Sequence, residues 1–392
     1  MKIALQPSVL QWARHRAGLS VEELAVKFSK KEASRELAKI EQWEVDGQLT
    51  YKQAEKLANK TRTAFGYLFL PDPPDIPMPL ADFRTVDSQR GNQPSPELLD
   101  TIHTMQRRQD WLSEERQDSG AEPLHFVGSA SPNDDPEAIG REMRRVLGLD
   151  REWAKAQSSW TAALGKIREA IEELGVMAVI NGVVGNNTSR KLNVEEFRGF
   201  ALSDPYAPLI FVNGADAKSA QMFTLAHELA HLWLGESGEG LSGFLGLSPE
   251  GGNIESFCDR AAAEFLVPAA ELRELWPKMK AHESPFETLA PHFKVSPVVI
   301  GRRCKDLNLV GKDEFFDFYR EYTRKEFRRE EQKSGGGDYY NNQNTRVGHL
   351  FATQVIRAAK EGRLGFGEAY DLSGLNGGTF QKYARKIGVT LP

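Results

Sequence analysis

Residues 223–234 read FTLAHELAHLWL, an apolar stretch that is interrupted by two histidines and one glutamate. His227 and His231 are four positions apart, so on an α-helix both imidazoles project from one face and can bind the same metal ion. Glu228 is rotated by about 100° around that helix, which places its carboxylate beside the ion instead of on it. A carboxylate there can take a proton from an attacking water and pass it to a leaving amine. The spacing therefore predicts Zn2+ as the cofactor, with His227 and His231 as metal ligands and Glu228 as the general base.

A catalytic zinc also needs a third protein ligand, and the next predicted helix, Ile254–Leu266, carries acidic residues on an apolar frame. Glu255 and Asp259 are again four positions apart and share a face of that helix. We predict Glu255 as the third metal ligand. Asp259 is predicted to accept a hydrogen bond from the second ring nitrogen of a ligand histidine, which fixes its tautomer. Glu264 lies on the opposite side of the helix, where we expect an ion pair within the fold, for example with Arg260.

Residues 208–268 resemble the ImmA/IrrE family of metallopeptidases. The resemblance rests on APLIFVN at 207–213, on the HExxH stretch, and on IESFCDRAAAEFLVP at 254–268. In this family the HExxH helix is followed by a glutamate, two residues, Ala or Cys, then Asn, and later by Leu-x-Pro. Glu255 and Cys258 match that pattern, and the resemblance thus also implies Glu255 as the third ligand. Asp259 departs from the usual Asn, and the carboxylate is similar to that of thermolysin-like zincins.

The first seventy residues predict four or five short helices with tight turns. Residues 39–61, KIEQWEVDGQLTYKQAEKLANKT, resemble the Cro/repressor-like (XRE-like) helix-turn-helix proteins, which implies DNA as a partner of residues 1–70. This segment holds 12 Lys and Arg against 8 Asp and Glu. Glu32 and Glu36, however, lie where the recognition helix would begin and would repel phosphates. A helical domain for dimerisation or for holding a partner is therefore the alternative.

The predicted fold class is α+β, with a helical helix-turn-helix domain, a zincin-like domain and a helical carboxyl-terminal region. The zincin-like domain is expected to combine a small mixed sheet, with strands near 176–180, 197–202 and 208–212, with the HExxH helix and the third-ligand helix. The strand at 198–203 is a candidate edge at which a substrate peptide adds as an extra strand. The predicted boundaries are a helix-turn-helix domain at 1–70, a proline-rich linker and connecting helices at 71–157, the zinc metallopeptidase domain at 158–310, and the carboxyl-terminal region at 311–392.

The composition is that of an ordinary globular protein, with 40% hydrophobic residues, 27% charged residues and a net charge of -5. Two cysteines give no disulfide framework, which fits a reducing compartment. The first residues lack a signal-peptide pattern, and no apolar run approaches the ~18 residues of a membrane span. We therefore expect a cytoplasmic protein without a membrane partner, and a homodimer is one option for its assembly.

The family resemblance implies a protein substrate. Its members cleave, or are thought to cleave, helix-turn-helix repressors in stress response and mobile-element control, and others resemble the toxin half of toxin–antitoxin systems. The predicted function is a zinc-dependent endopeptidase that cleaves a partner repressor or antitoxin. The alternatives are a DNA-binding regulator with a structural or sensory zinc site, and a toxin-like protein that acts by binding. Glu228 favours catalysis, because a structural site needs no base. No oxyanion-stabilising residue is assigned; the candidates are Tyr206, Tyr339, Tyr340 and His349.

Overall fold

The computed structural model describes residues 2–76, 94–236, 253–327 and 345–391. The chain forms two compact units, the first comprising residues 1–79 and 84–103 and the second comprising residues 80–83 and 104–392. None of the described helices is long and apolar enough to cross a membrane.

The first unit is mainly helical, as the sequence predicts. Its helix α2 begins with a capping box, in which Ser20 Oγ accepts from the Glu23 backbone and the Glu23 carboxylate accepts from the Ser20 backbone. A short antiparallel pair, β1–β2, was not expected from the sequence. The elements are β1 (Lys2–Ala4), α1 (Pro7–Arg16), α2 (Val21–Phe28), α3 (Ala33–Asp46), β2 (Gln48–Thr50), α4 (Tyr51–Thr61) and a 3-10 helix (Phe65–Phe69).

The second unit combines helices with a small sheet. Helix α5 begins in the first unit and continues into the second. The elements are α5 (Pro96–Asp118), α6 (Pro136–Val146), α7 (Trp160–Glu173), β3 (Met177–Asn181), β4 (Val183–Val184), β5 (Asn187–Lys191), β6 (Gly199–Leu202), β7 (Leu209–Asn213), α8 (Lys218–Leu234), α9 (Asn253–Leu266), α10 (Ala269–Met279), α11 (Pro285–Phe293), α12 (Pro297–Asp306), α13 (Lys312–Phe327), α14 (His349–Lys360), α15 (Phe366–Ser373) and α16 (Gly377–Lys386).

The three-stranded sheet of the second unit has the strand order β3–β7–β6. Strand β3 is parallel to β7, and β6 is antiparallel to β7, so that Ala178 and Ala201 both lie opposite Ile210. Each residue of β3, β6 and β7 is buried, which explains their continuous apolar sequences. The three predicted strands are present, and β6 is an edge strand of this mixed sheet. The predicted α+β class is confirmed.

The central helix of the second unit is α8, in which every residue from Gln221 to Leu234 is buried. It packs against β6 and β7 of the sheet and against α9. Helix α9 is in turn packed closely against α6. A Cβ at Gly140 of α6 would lie only 2.5 Å from the carbonyl oxygen of Ala261 in α9. Only glycine permits so short a distance between the two helices.

Within the described residues 345–391, the chain forms three helices, α14 to α16. The breaks follow Lys360 and Ser373, and each contains a glycine in the left-handed region, Gly362 at φ 74° and Gly374 at φ 66°. A glycine with positive φ commonly ends a helix, since it lacks the steric penalty of a side chain.

The contact between α6 and α9 gives a test of packing. We expect Gly140→Ala to lower the free energy of unfolding by about 1–3 kcal/mol, since the added methyl group forces the two helices apart. Gly165→Ala in α7 is the matched control, because a Cβ there meets nothing within 4 Å. It should stabilise the protein by up to about 1 kcal/mol through helix propensity. Urea unfolding of both variants measures the two changes in the free energy of unfolding. Equal changes would contradict the close packing of α6 against α9 at Gly140.

Candidate metal centre

Three side chains from α8 and α9 meet at one point. His227 Nε2 lies 3.2 Å from His231 Nε2 and 3.2 Å from Glu255 Oε2, and His231 Nε2 lies 3.4 Å from Glu255 Oε1. Both histidines are buried, whereas the Glu255 side chain keeps 30% of its surface exposed. The structure thus brings together the three residues that the sequence selects as metal ligands.

The separations among these atoms fit a tetrahedral metal ion. Nitrogen and oxygen ligands bind zinc at about 2.0–2.2 Å, so two ligands of one tetrahedral ion are about 3.3–3.6 Å apart. The observed separations, 3.2 to 3.4 Å, are close to those values. Two imidazoles and one carboxylate are also the donor set of many catalytic zinc sites, which keep a fourth position open. The residues present therefore fit a metal ion.

The electrostatics of the cluster favour a cation. Burial alone would raise the pKa of Glu255, but hydrogen bonds to the two histidines outweigh it and hold that pKa far below its usual value. Burial likewise opposes protonation of His227, yet hydrogen bonds to Asp259 and Glu255 raise its pKa well above the usual value. Burial lowers the pKa of His231, which favours the neutral imidazole that a metal ligand needs. Two carboxylates thus face the cluster, and positive charge between them is stabilised.

The first ligand histidine is held by a chain of polar contacts. Asp259 Oδ1 lies 3.1 Å from His227 Nδ1, at the position that the sequence predicts for the outer partner of a ligand. Asp259 Oδ2 accepts from Arg302 Nη2 at 3.4 Å, and Arg302 Nε lies 3.7 Å from Asp306. The orientation of His227 therefore depends on α9 and α12 together. The sequence analysis did not identify Arg302, which lies 43 positions from Asp259 in the chain.

The predicted base, Glu228, is fully buried in α8 beneath the start of β6. A Cβ at Gly199 would lie 3.2 Å from Glu228 Oε1 and 2.5 Å from Thr224 Cγ2. Because glycine has no side chain, the carboxylate fits directly below the backbone of β6. Its role as the general base stays a prediction.

Glu264 is buried on the far side of α9, as its position in the helix predicts, but its partner is not Arg260. Its carboxylate forms a buried ion pair with Arg303 and accepts from the Ala269 backbone at 3.0 Å. Arg260 is exposed to solvent. The pair of Glu264 and Arg303 fixes α9 to α12, so it stabilises the same two helices that carry Glu255, Asp259 and Arg302.

Of the four candidates for oxyanion stabilisation, the two described ones, Tyr206 and His349, make their described contacts away from the cluster. The Tyr206 backbone is held in the turn between β6 and β7 by Asp204 and Arg116. The His349 backbone donates to Glu172 at the start of α14. Tyr339 and Tyr340 lie outside the described residues.

Removal of the outer carboxylate gives a direct test of the metal site. We expect Asp259→Ala to weaken zinc binding by about 10–100-fold, because His227 loses the partner that orients its ring. Asp306→Ala is the matched control, since it removes another carboxylate at Arg302 without touching a histidine. Competition with a chromophoric chelator measures both affinities. Equal affinities of Asp259→Ala and the wild type would contradict the role of Asp259.

Comparison with known proteins agrees with this geometry. Residues 172–305 match the peptidase family M78, described as the IrrE N-terminal-like domain, and residues 347–386 match a domain of unknown function (DUF8813). No curated protein and no solved structure matches the chain. The matched segment contains the two histidines and the glutamate of the cluster as well as Glu228. Residues 172–305 are therefore a metallopeptidase domain of the IrrE N-terminal-like family.

Proposed function

We propose that the protein is a zinc-dependent endopeptidase that cleaves a partner protein, a repressor or an antitoxin. The observation that carries this proposal is the meeting of His227, His231 and Glu255, whose ligand atoms lie within 4.8 Å of one another, on and beside the helix that holds the buried Glu228. A structural zinc site is usually closed by four protein ligands. The partly exposed Glu255 supports a site that also admits water and a substrate carbonyl.

When bound, zinc supplies Lewis-acid polarisation of the scissile carbonyl and lowers the pKa of water in the site to about 7. His227, His231 and Glu255 hold the ion, and Asp259 fixes the tautomer in which His227 Nε2 is the coordinating atom. Glu228 takes a proton from the attacking water and later passes it to the leaving amine. The apolar surroundings of α8 exclude bulk water from Glu228 and so strengthen its electrostatic interactions.

Strand β6 is the proposed binding edge for an extended substrate. The Arg198 carbonyl oxygen accepts from the Asn213 N–H of β7 at 2.7 Å. In an antiparallel pair, residues that are hydrogen-bonded to the partner strand alternate with residues whose backbone groups point away from it. The backbone groups of Gly199 and Ala201 are therefore directed away from β7, where a peptide can pair with them. Since Gly199 lies over Glu228, a peptide bound there has its backbone close to the proposed base.

The first unit supports a further proposal, that residues 1–70 bind DNA as an XRE-like helix-turn-helix domain. The structure weakens the charge argument against it, because Glu36 is buried and its carboxylate lies 2.7 Å from Lys39 Nζ. Glu32 lies 3.6 Å from Arg35. Both acids are thus close to positive charges, which reduces repulsion of a phosphate backbone.

Cleavage of a co-encoded repressor-like or antitoxin-like protein tests the proposed function. We expect the wild type with zinc to cut this partner, and Glu228→Gln to abolish cleavage while its zinc content is unchanged. Removal of zinc by a chelator should stop the wild-type reaction, and added zinc should restore it. Electrophoresis and mass spectrometry of the products identify the cleaved bond. An intact partner with zinc-loaded wild type would favour a binding or sensory role instead.

Gly199→Ala tests the proposed position of the base. The added methyl group would lie against Thr224 and Glu228, so the carboxylate must move. Because the carboxylate has to yield by only part of an ångström, we expect the rate of cleavage to fall by about 10-fold, less than the roughly 100-fold loss for a displacement of about 1 Å in a catalytic group. Zinc affinity should stay unchanged, since the three ligands are on other elements. A loss of zinc affinity equal to the loss of activity would contradict this explanation.

A further inference from the structure

The last three helices, α14 to α16, form a small domain. The proposed peptidase chemistry gives it no role, and the family that it matches is a domain of unknown function. Helices α15 and α16 are joined by three residues, Gly374 to Asn376. Gly374 adopts a left-handed backbone with φ 66°, and the Leu375 N–H donates to Ser373 Oγ at 3.3 Å. A three- or four-residue turn that contains a glycine is the connection found between the two helices of helix-turn-helix motifs.

Helices α15 and α16 each bury one side in the interior of this domain. Tyr370 and Phe380 pack edge to face with their ring centroids 5.2 Å apart. Helix α14 contributes the buried Phe351 and Val355 to the domain. The inward residues of the two helices and the turn are Ala369, Ser373, Leu375, Phe380, Tyr383 and Ala384. Because these residues bury one side of α16, its opposite side faces solvent.

The exposed side of α16 carries the side chains that proteins use to read DNA. Gly378, Gln381, Lys382 and Arg385 are all exposed, and their spacing places them on one face of the helix. Glutamine pairs with the edge of adenine, and lysine and arginine pair with the edge of guanine in the major groove. The second helix of a helix-turn-helix motif is the one that enters this groove.

The charge of this domain differs from that of the whole chain. From Thr345 to Leu391 there are seven Lys and Arg against three Asp and Glu, a local charge of +4 in a chain of net charge -5. From Gly374 onward there are three basic residues and no acid. A positive segment is attracted to the phosphates of a duplex, which supply most of the affinity for DNA.

The domain is fixed to the rest of the second unit by buried polar contacts. Glu172 accepts from the backbone N–H groups of His349 at 2.8 Å and Leu350 at 3.4 Å, at the start of α14. Arg108 is buried and donates to the Leu372 carbonyl at 2.9 Å, next to the turn. The three helices are thus held within the same compact unit as the metal cluster.

We propose that residues 345–391 are a DNA-binding helix-turn-helix domain that places α16 in the major groove of duplex DNA. Lys382 and Arg385 contact phosphates or guanine, and Gln381 reads a base edge. This function is separate from proteolysis and from the DNA binding proposed for residues 1–70, so either can fail without the other.

Binding of full-length protein to a fluorescent 30-bp duplex of mixed sequence, over a series of salt concentrations, tests the proposal. We expect Lys382→Ala/Arg385→Ala to bind at least tenfold more weakly at low salt. The slope of log K against log salt should become less steep by about 2, because each phosphate contact contributes about 0.9. Arg357→Ala/Lys360→Ala in α14 is the matched control, since it removes two exposed charges from the same domain but not from α16.

Circular dichroism and thermal unfolding confirm that each variant is folded, and Gln381→Ala should alter the base preference in a selection from random duplexes. Equal losses for the two double variants would overturn the proposal, because they would indicate attraction by net charge alone. Unchanged binding of Lys382→Ala/Arg385→Ala would also overturn the proposal. A second double variant, Lys31→Ala/Arg35→Ala in the first unit, completes the test: if only this variant loses binding, the proposal for residues 345–391 is overturned. Binding of RNA or an acidic protein, with no affinity for duplex DNA, is a further result against it.

Discussion

The second unit depends on the cost of placing two histidines and a glutamate inside an apolar helix. Every residue in the last four turns of α8 is buried, so the polar groups of His227, Glu228 and His231 have lost their water. Burial of such groups is costly unless nearby charges or a metal ion replace the solvent. The surrounding helices and strands supply that replacement, and most of the specific contacts near α8 follow from it.

Two glycines set the distances that this arrangement requires. Gly140 lets α6 approach α9, the helix that carries Glu255 and Asp259, closely. Gly199 leaves space for the Glu228 carboxylate under β6. Further out, Arg302 and Arg303 are consecutive residues of α12 that bind opposite faces of α9, one through Asp259 and the other through Glu264. Helix α9 is thus held from three directions, and this fixes Glu255 relative to the two histidines.

The features that follow from local periodicity could be predicted from the sequence. The HExxH spacing gave the shared face of His227 and His231, and the apolar sequences of β3 and β7 gave two strands within one or two residues of their bounds. Contacts between distant segments could not be predicted. Arg302 lies 43 positions from Asp259, and Arg303 lies 39 positions from Glu264, so the nearby Arg260 was the only visible partner. The hairpin β4–β5 was missed because NTSRK has no apolar alternation.

Under the proposed function, the edge position of β6 constrains which proteins can be substrates. A strand that binds a peptide through its backbone accepts only an extended segment, so a folded partner must first release that segment from its own structure. The free energy of this local opening adds to the barrier of cleavage, whatever the side chains at the cut site. Partners would then be selected by the stability of one short region more than by its sequence. A signal that loosens this region would control proteolysis without any change in the peptidase itself.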